Sequence, residues 1–336
     1  MANNSLHPPE DSITGHRVLA PFVTWIPGIF GSLANIVAII ICYRRFRKNT
    51  NSGQRVSSLN QQNGNRLHAT PSFILCQLAL ADLIGTIYTI AIAGVDVYLD
   101  RQALGRKDIN FLNKLYQQWA QSSFCGVLRF IYCVSTISSA LFAILLAVER
   151  SKLILHYRAL SWQDYHTTIQ GITFMIWTVA IIIACLVTVL VYVLPKPTFY
   201  PGYEANYLCI YMNNTPDVLF YSAISYCTYC FISYSLIIII YTHMILTLGC
   251  CKQSTTSPKI KPWLLYFAIT IAIVDAVSWL PLSLAVLLQS LQKKQLVISF
   301  EHISVLIILA QRVNLAIHPF IYSSPVNNVN NIILHP

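Results

Sequence analysis

The sequence predicts an all-α integral membrane protein, a bundle of seven transmembrane helices with its amino terminus outside. Three observations carry this. The 336 residues are 55% hydrophobic and only 10% charged, with a mean hydropathy of +0.57, whereas a soluble domain carries about 25% charged residues. Seven stretches are long and apolar enough to cross a hydrocarbon core about 30 Å thick, which takes about 20 helical residues: 18–42, 73–95, 124–148, 169–193, 218–247, 263–288 and 302–322. The third observation is the lopsided placement of charge.

Connections 44–70, 150–166 and 249–262, taken with Glu149, hold twelve basic residues against two acidic ones, while the opposite side holds eight of each. The two basic and two acidic residues within the spans cancel, so the net charge of +10 lies on one side. The positive-inside rule makes that side cytoplasmic. Seven crossings then put the amino terminus outside and the carboxyl terminus inside. This basic excess reads as topology and contact with anionic membrane lipid, not as nucleic-acid binding. The chain divides into an extracellular amino terminus (1–17), a seven-span domain (18–322) and a short cytoplasmic tail (323–336).

The opening residues, MANNSLHPPEDSITGHR, have no basic start followed by an apolar core and cleavage site. No cleavable signal peptide is expected, and the first span serves as the anchor. Asn3 and Asn213 begin glycosylation sequons, and both fall on the predicted outer side. Of the ten cysteines only Cys227 and Cys230, inside the fifth predicted span, have CxxC spacing, and with no second pair and no Cys/His cluster a metal site is not expected. Cys125, at the outer end of the third span, and Cys209, in the loop after the fourth, both lie on the oxidising side, where a disulfide persists. Two free thiols are the alternative.

Charged groups in hydrocarbon cost about 2.5–3.5 kcal/mol on insertion scales, so each invites a functional reading. The first span carries Asn35, and the second carries L-A-L-A-D ending at Asp82. The third runs from Cys125 to Glu149–Arg150–Ser151, with Arg150 twenty-five residues after the cysteine. At about 1.5 Å per residue, that spacing crosses from the outer face to the inner one. Trp177 lies in the fourth span and Tyr241 near the inner end of the fifth. The sixth contains S-W-L-P, with Trp279 and Pro281, and the seventh N-L-A-I-H-P-F-I-Y, from Asn314 to Tyr322.

In this order, and each in its own span, these residues resemble the signature of rhodopsin-type (class A) G-protein-coupled receptors, from about residue 25 to 322. The resemblance implies a plasma-membrane receptor that converts an extracellular ligand into activation of a heterotrimeric G protein, with no cofactor and no catalysis. It implies that Asp82, Ser139 and Asn314 line a sodium or water pocket. Arg150 is held by Glu149 and released to meet the G protein, with Tyr241 and Tyr322 at the same inner end. Trp279 and Pro281 form the bend that answers ligand, and His318, Pro319 and Tyr322 the switch below it. A plain reading stands beside each role. Glu149–Arg150 would be a surface ion pair worth little, Asp82 a protonated, hydrogen-bonded carboxyl, and the two prolines kinks satisfied by neighbouring helices.

The sequence also departs from that pattern. Ser151 follows Arg150 in place of tyrosine, and His318 precedes Pro319 in place of Asn or Asp. Ser233 stands where the fifth span usually has proline, and Asp275 where an aromatic residue packs below Trp279. Tyr132 occupies the position of the amine receptors' aspartate, which argues against a biogenic amine. All ten lysines fall in predicted loops, which excludes a retinal Schiff base in the seventh span.

Within the family, the loop F-Y-P-G-Y-E-A-N-Y-L-C-I (Phe199–Ile210), the L-A-V-E-R-S stretch, the missing proline and the V-N…P-x-I-Y ending look like prostanoid receptors. Those receptors place an arginine where this chain has Leu309; Arg312 comes three residues later, nearly on the same helix face. Arg129, one turn below Cys125, is a second cation near the outer pocket. The resemblance implies an anionic, lipid-like ligand bound by Arg312, Arg129 and Tyr132. The alternatives are neutralisation of Arg312 by Asp82 or Asp275, and snorkelling of Arg129 to the outer interface.

Other functions fit less well. A transporter tends to show repeated halves, and none is visible. HExxH, Gly-x-Ser-x-Gly and phosphate-binding glycine loops are absent, which argues against an enzyme. A receptor for a peptide or other neutral ligand, and a non-signalling scaffold of degenerate receptor type, remain as alternatives. The tail after Tyr322 has no basic amphipathic turn and no cysteine, so no palmitoylated eighth helix is expected; Cys250 and Cys251 offer another acylation site.

Overall fold

The computed structural model describes residues 25–44, 47, 69–103, 111, 114–115, 118–119, 122–155, 162–193, 216–250 and 273–274. Five long helices fall within them: α1 (Trp25–Arg44), α2 (Ala69–Ala103), α3 (Ser123–Leu155), α4 (Trp162–Val193) and α5 (Pro216–Cys250). All five are long and apolar enough to span a membrane. They coincide with the first five predicted spans. The sixth and seventh lie outside the described residues, apart from Ile273 and Val274.

The helices outrun the apolar stretches that predict them. α2 begins four residues before its stretch and ends eight after it. Backbone groups still need partners at the membrane edge, and continuing the helix supplies them. Consequently Lys152, expected in a loop, lies exposed near the inner end of α3. That correction leaves the seventh span without lysine.

α3 is the hub: it packs against α2, α4 and α5, and α2 also meets α4. α2 and α3 run antiparallel, so Tyr88 stands opposite Tyr132 towards the outside and Asp82 opposite Ser139 further in. One apolar cluster, including Ile74, Leu78, Phe142, Leu146 and Ile176, joins α2, α3 and α4 in the inner half. A second, of Tyr88, Ile92, Cys125, Leu128 and Tyr132, fills the α2–α3 seam near the outside. Large apolar side chains such as Phe30 and Leu33 on α1, and Phe174 and Met175 on α4, are exposed. Hydrocarbon, not water, is the solvent they meet.

Without a hydrophobic drive between helices in lipid, close approach depends on small residues and interhelical hydrogen bonds. α1 meets α2 in this way. Gly28 and Ser32 lie one turn apart, and the Ser32 hydroxyl is 2.8 Å from the Gly28 carbonyl and 2.9 Å from Thr86 Oγ1. A Cβ on Gly28 would come within 2.9 Å of Ile90 Cγ1 and 3.3 Å of Thr89 Cγ2. Gly28→Val is therefore expected to force α1 off α2, at about 1–3 kcal/mol. Surface expression and thermal unfolding in detergent would register this, and wild-type values in both would refute the close packing.

Candidate functional site

The functional positions lie along α3, at three depths. At its outer end Ser122 caps the helix, its Oγ accepting from the Cys125 N–H at 3.1 Å, as a serine does for an unpaired donor of the first turn. The Ser122 N–H donates to the Trp119 carbonyl at 2.9 Å. This turn sets Trp119 against Phe124, edge to face with centroids 5.9 Å apart.

Cys125 is fully buried there. One turn below it, Arg129 points Nη2 at Cys125 Sγ, 4.0 Å away. Only 1% of Arg129 is exposed. The snorkelling alternative is thereby corrected, since a guanidinium buried this fully does not reach the outer interface. Tyr132, almost one turn further in, is buried against Tyr88, their rings 5.0 Å apart and tilted by 50°. The outer α2–α3 seam therefore combines one cation, two phenols and an apolar wall. A guanidinium carries five N–H donors in a planar fork and suits a carboxylate geometrically.

At mid-membrane the polar residues of α2 and α3 serve each other. Asp82 is fully buried, and the Ser139 hydroxyl donates to its Oδ1 at 2.6 Å. Ser135, one turn from Ser139 on α3, donates to the Ala81 carbonyl at 2.8 Å and fixes the same register. Two members of the expected sodium or water pocket thus lie together, and the third, Asn314, is outside the described residues. Among the described residues, no group of three His, Cys, Asp or Glu forms that could hold a metal.

Two further polar ties involve residues that sequence reasoning passed over. The Trp177 indole N–H donates to Gln77 Oε1 at 2.9 Å, joining α4 to α2. The Tyr229 phenol donates to the Ile137 carbonyl at 3.0 Å, joining α5 to α3. Gln77 was within reach of the sequence, because an amide in a span is as anomalous as Asn35.

At the inner end, Glu149 and Arg150 are neighbours on α3, with Oε2 and Nε 3.9 Å apart. The glutamate side chain is fully buried and the arginine 17% exposed, so this is not the surface pair of the plain reading. A charge-assisted hydrogen bond of this type is about 2.7–2.9 Å long, so the contact is Coulombic. Among the described residues, neither carboxyl oxygen of Glu149 nor Nε of Arg150 makes a hydrogen bond. A pair held this loosely can be opened by a better partner. Tyr241 is buried on the inner half of α5.

Cys209, Asn3, Asn213, Asp275, Trp279, Pro281, Arg312, His318, Pro319 and Tyr322 lie outside the described residues. The sequence model of one family, described as 7 transmembrane receptor (rhodopsin family), matches residues 59–322. No curated protein matches the chain.

Proposed function

The chain belongs to the rhodopsin family of seven-transmembrane receptors, and from that premise we propose that its extracellular ligand is a lipid-like acid whose carboxylate is held by Arg129 or Arg312. Family membership makes it a multi-pass plasma-membrane signalling receptor that couples to heterotrimeric G proteins, and not an enzyme.

The burial of Arg129 carries the ligand reading. A guanidinium taken out of water is expensive, and its cost is offset only by acceptors brought to it. The Cys125 sulfur beside it is a weak acceptor, and the fork can serve a carboxylate as well. Tyr88, Tyr132 and Ile92 supply the apolar and aromatic wall a hydrocarbon chain needs. In the sequence, the Y-P-G loop and Arg312 favour a prostanoid-like acid. Tyr132 offers no anion to an amine.

The supporting features are proposals of the same kind. Cys125 is disulfide-bonded, and Cys209 is the partner its place in the chain favours. Asn3 and Asn213 are the proposed glycan sites. Asp82, Ser139 and Asn314 form the polar pocket of the bundle, with Trp279, Pro281, His318 and Pro319 as the switch beneath the ligand.

The test compares an acid agonist with its methyl ester on wild type, Arg129→Gln and Arg312→Leu. Truncating one partner of a buried, charge-assisted pair costs roughly 2–5 kcal/mol, or about 30-fold or more in affinity. Esterification and the decisive arginine substitution should each cost that much, without adding. If every variant responds to acid and ester alike, the ligand is neutral or a peptide.

A further inference from the structure

α5 is an uninterrupted helix from Pro216 to Cys250. Ser233 keeps the backbone N–H that a proline there would remove, so no kink fixes how this helix lies on its neighbour. Its register must come from side chains. Among the described helices α5 packs chiefly on α3, and its buried stripe includes Cys230, Ser233, Tyr234, Ile237, Tyr241 and Met244. Apart from its hydroxyls this stripe is smooth, and in lipid such a contact has little to stop it sliding.

Tyr229 supplies the stop. Its phenol donates to the Ile137 carbonyl at 3.0 Å. Ile137 lies twelve residues after Cys125 and thirteen before Arg150, at the middle of the crossing. On α5, Tyr229 precedes Tyr241 by twelve residues. The third and fifth crossings run in the same direction, so Arg150 and Tyr241 hang at nearly the same depth below this bond, thirteen and twelve residues on. At their inner ends Glu149 and Arg150 are in contact, so the arginine is restrained in this arrangement.

We propose that Tyr229 is a positioning residue for signalling: its bond to the Ile137 carbonyl pins α5 to α3 at mid-membrane and holds the inner ends in the arrangement in which Glu149 restrains Arg150. The inference rests on the receptor reading but not on the nature of the ligand. Releasing the bond lets the inner half of α5 slide or tilt on α3 without disturbing either pole of the site.

The experiment uses the full chain in nanodiscs with nitroxides at Lys152 and His243, both exposed, attached through non-cysteine chemistry. Wild type and Tyr229→Phe are compared in interlabel distance and in ligand-free nucleotide exchange per surface receptor. Interhelical hydrogen bonds in bilayers shift an equilibrium by about three- to tenfold, so basal exchange should rise by that factor as the distance distribution broadens. Unchanged distances overturn the proposal, whatever exchange does. Changed distances with no exchange in either protein uphold the tether and refute G-protein coupling. If the Phe variant fails to reach the membrane, 3,5-difluorotyrosine at 229, a stronger donor of nearly the same shape, should narrow the distribution and lower exchange; no movement then overturns the tether.

Discussion

Arg150→Ala is expected to reach the cell surface and bind ligand like wild type, yet to lose agonist-driven nucleotide exchange by about 30-fold or more, the cost of truncating one partner of an interfacial charge pair. The arginine is 17% exposed at the inner end of the hub helix, and its contact with buried Glu149 is 3.9 Å long and without hydrogen bonds from Nε. Such a contact holds the guanidinium in place but gives it up readily to a G protein's acceptors. The fold does not depend on it, since α3 is anchored further out by Asp82–Ser139 and Ser135–Ala81. Glu149→Gln removes the charge that restrains Arg150 and should raise basal exchange. Exchange measured on purified receptor in nanodiscs, normalised to bound ligand, is the readout. Wild-type exchange in the alanine variant would remove Arg150 from the coupling machinery.

Cys125→Ser should be the most damaging single substitution at the outer end. Losing a native disulfide typically costs about 2–5 kcal/mol, and Cys125 is disulfide-bonded. Arg129 would also lose the sulfur its Nη2 faces. Surface receptor and specific binding should fall together, whereas Cys185→Ser, at an exposed free thiol on α4, should alter neither. Peptide maps of the mature protein before and after reduction identify the partner. Unmodified thiols at both Cys125 and Cys209 would end the proposal.

Much of this was legible in the residues, for reasons that also mark the limit. Length and apolarity place helices, and charge asymmetry orients them, because the bilayer punishes the alternatives. Asp82 stood out because a carboxylate in hydrocarbon is costly, and its partner Ser139 lay at the matching depth of the next span. Gln77–Trp177 could not be paired that way, because helical period reports a face and not the neighbour across it. Tyr229 and Ser135 attracted no attention for a different reason. A lone hydroxyl inserts cheaply, and its value comes only from the carbonyl opposite, which sequence does not display. Arg129 had two readings, outward to the interface or inward to the pocket. Only its burial in the folded protein decides between them.

The uneven burial of the helices bears on how the protein is made. Within their most apolar windows, 61% of α2 and 67% of α3 is buried, against 17% of α4. α4 is at home among acyl chains on every side but one, so it can leave the translocon by itself and wait. α2 and α3 cannot, because Asp82 and Arg129 would each face hydrocarbon until a neighbour arrived. Those two segments are thus best released as a hairpin, with the Ser139–Asp82 bond closing as they partition. Synthesis order favours this, since the two are consecutive. Biogenesis of the receptor then begins from its most polar seam, and the apolar helices are added around it.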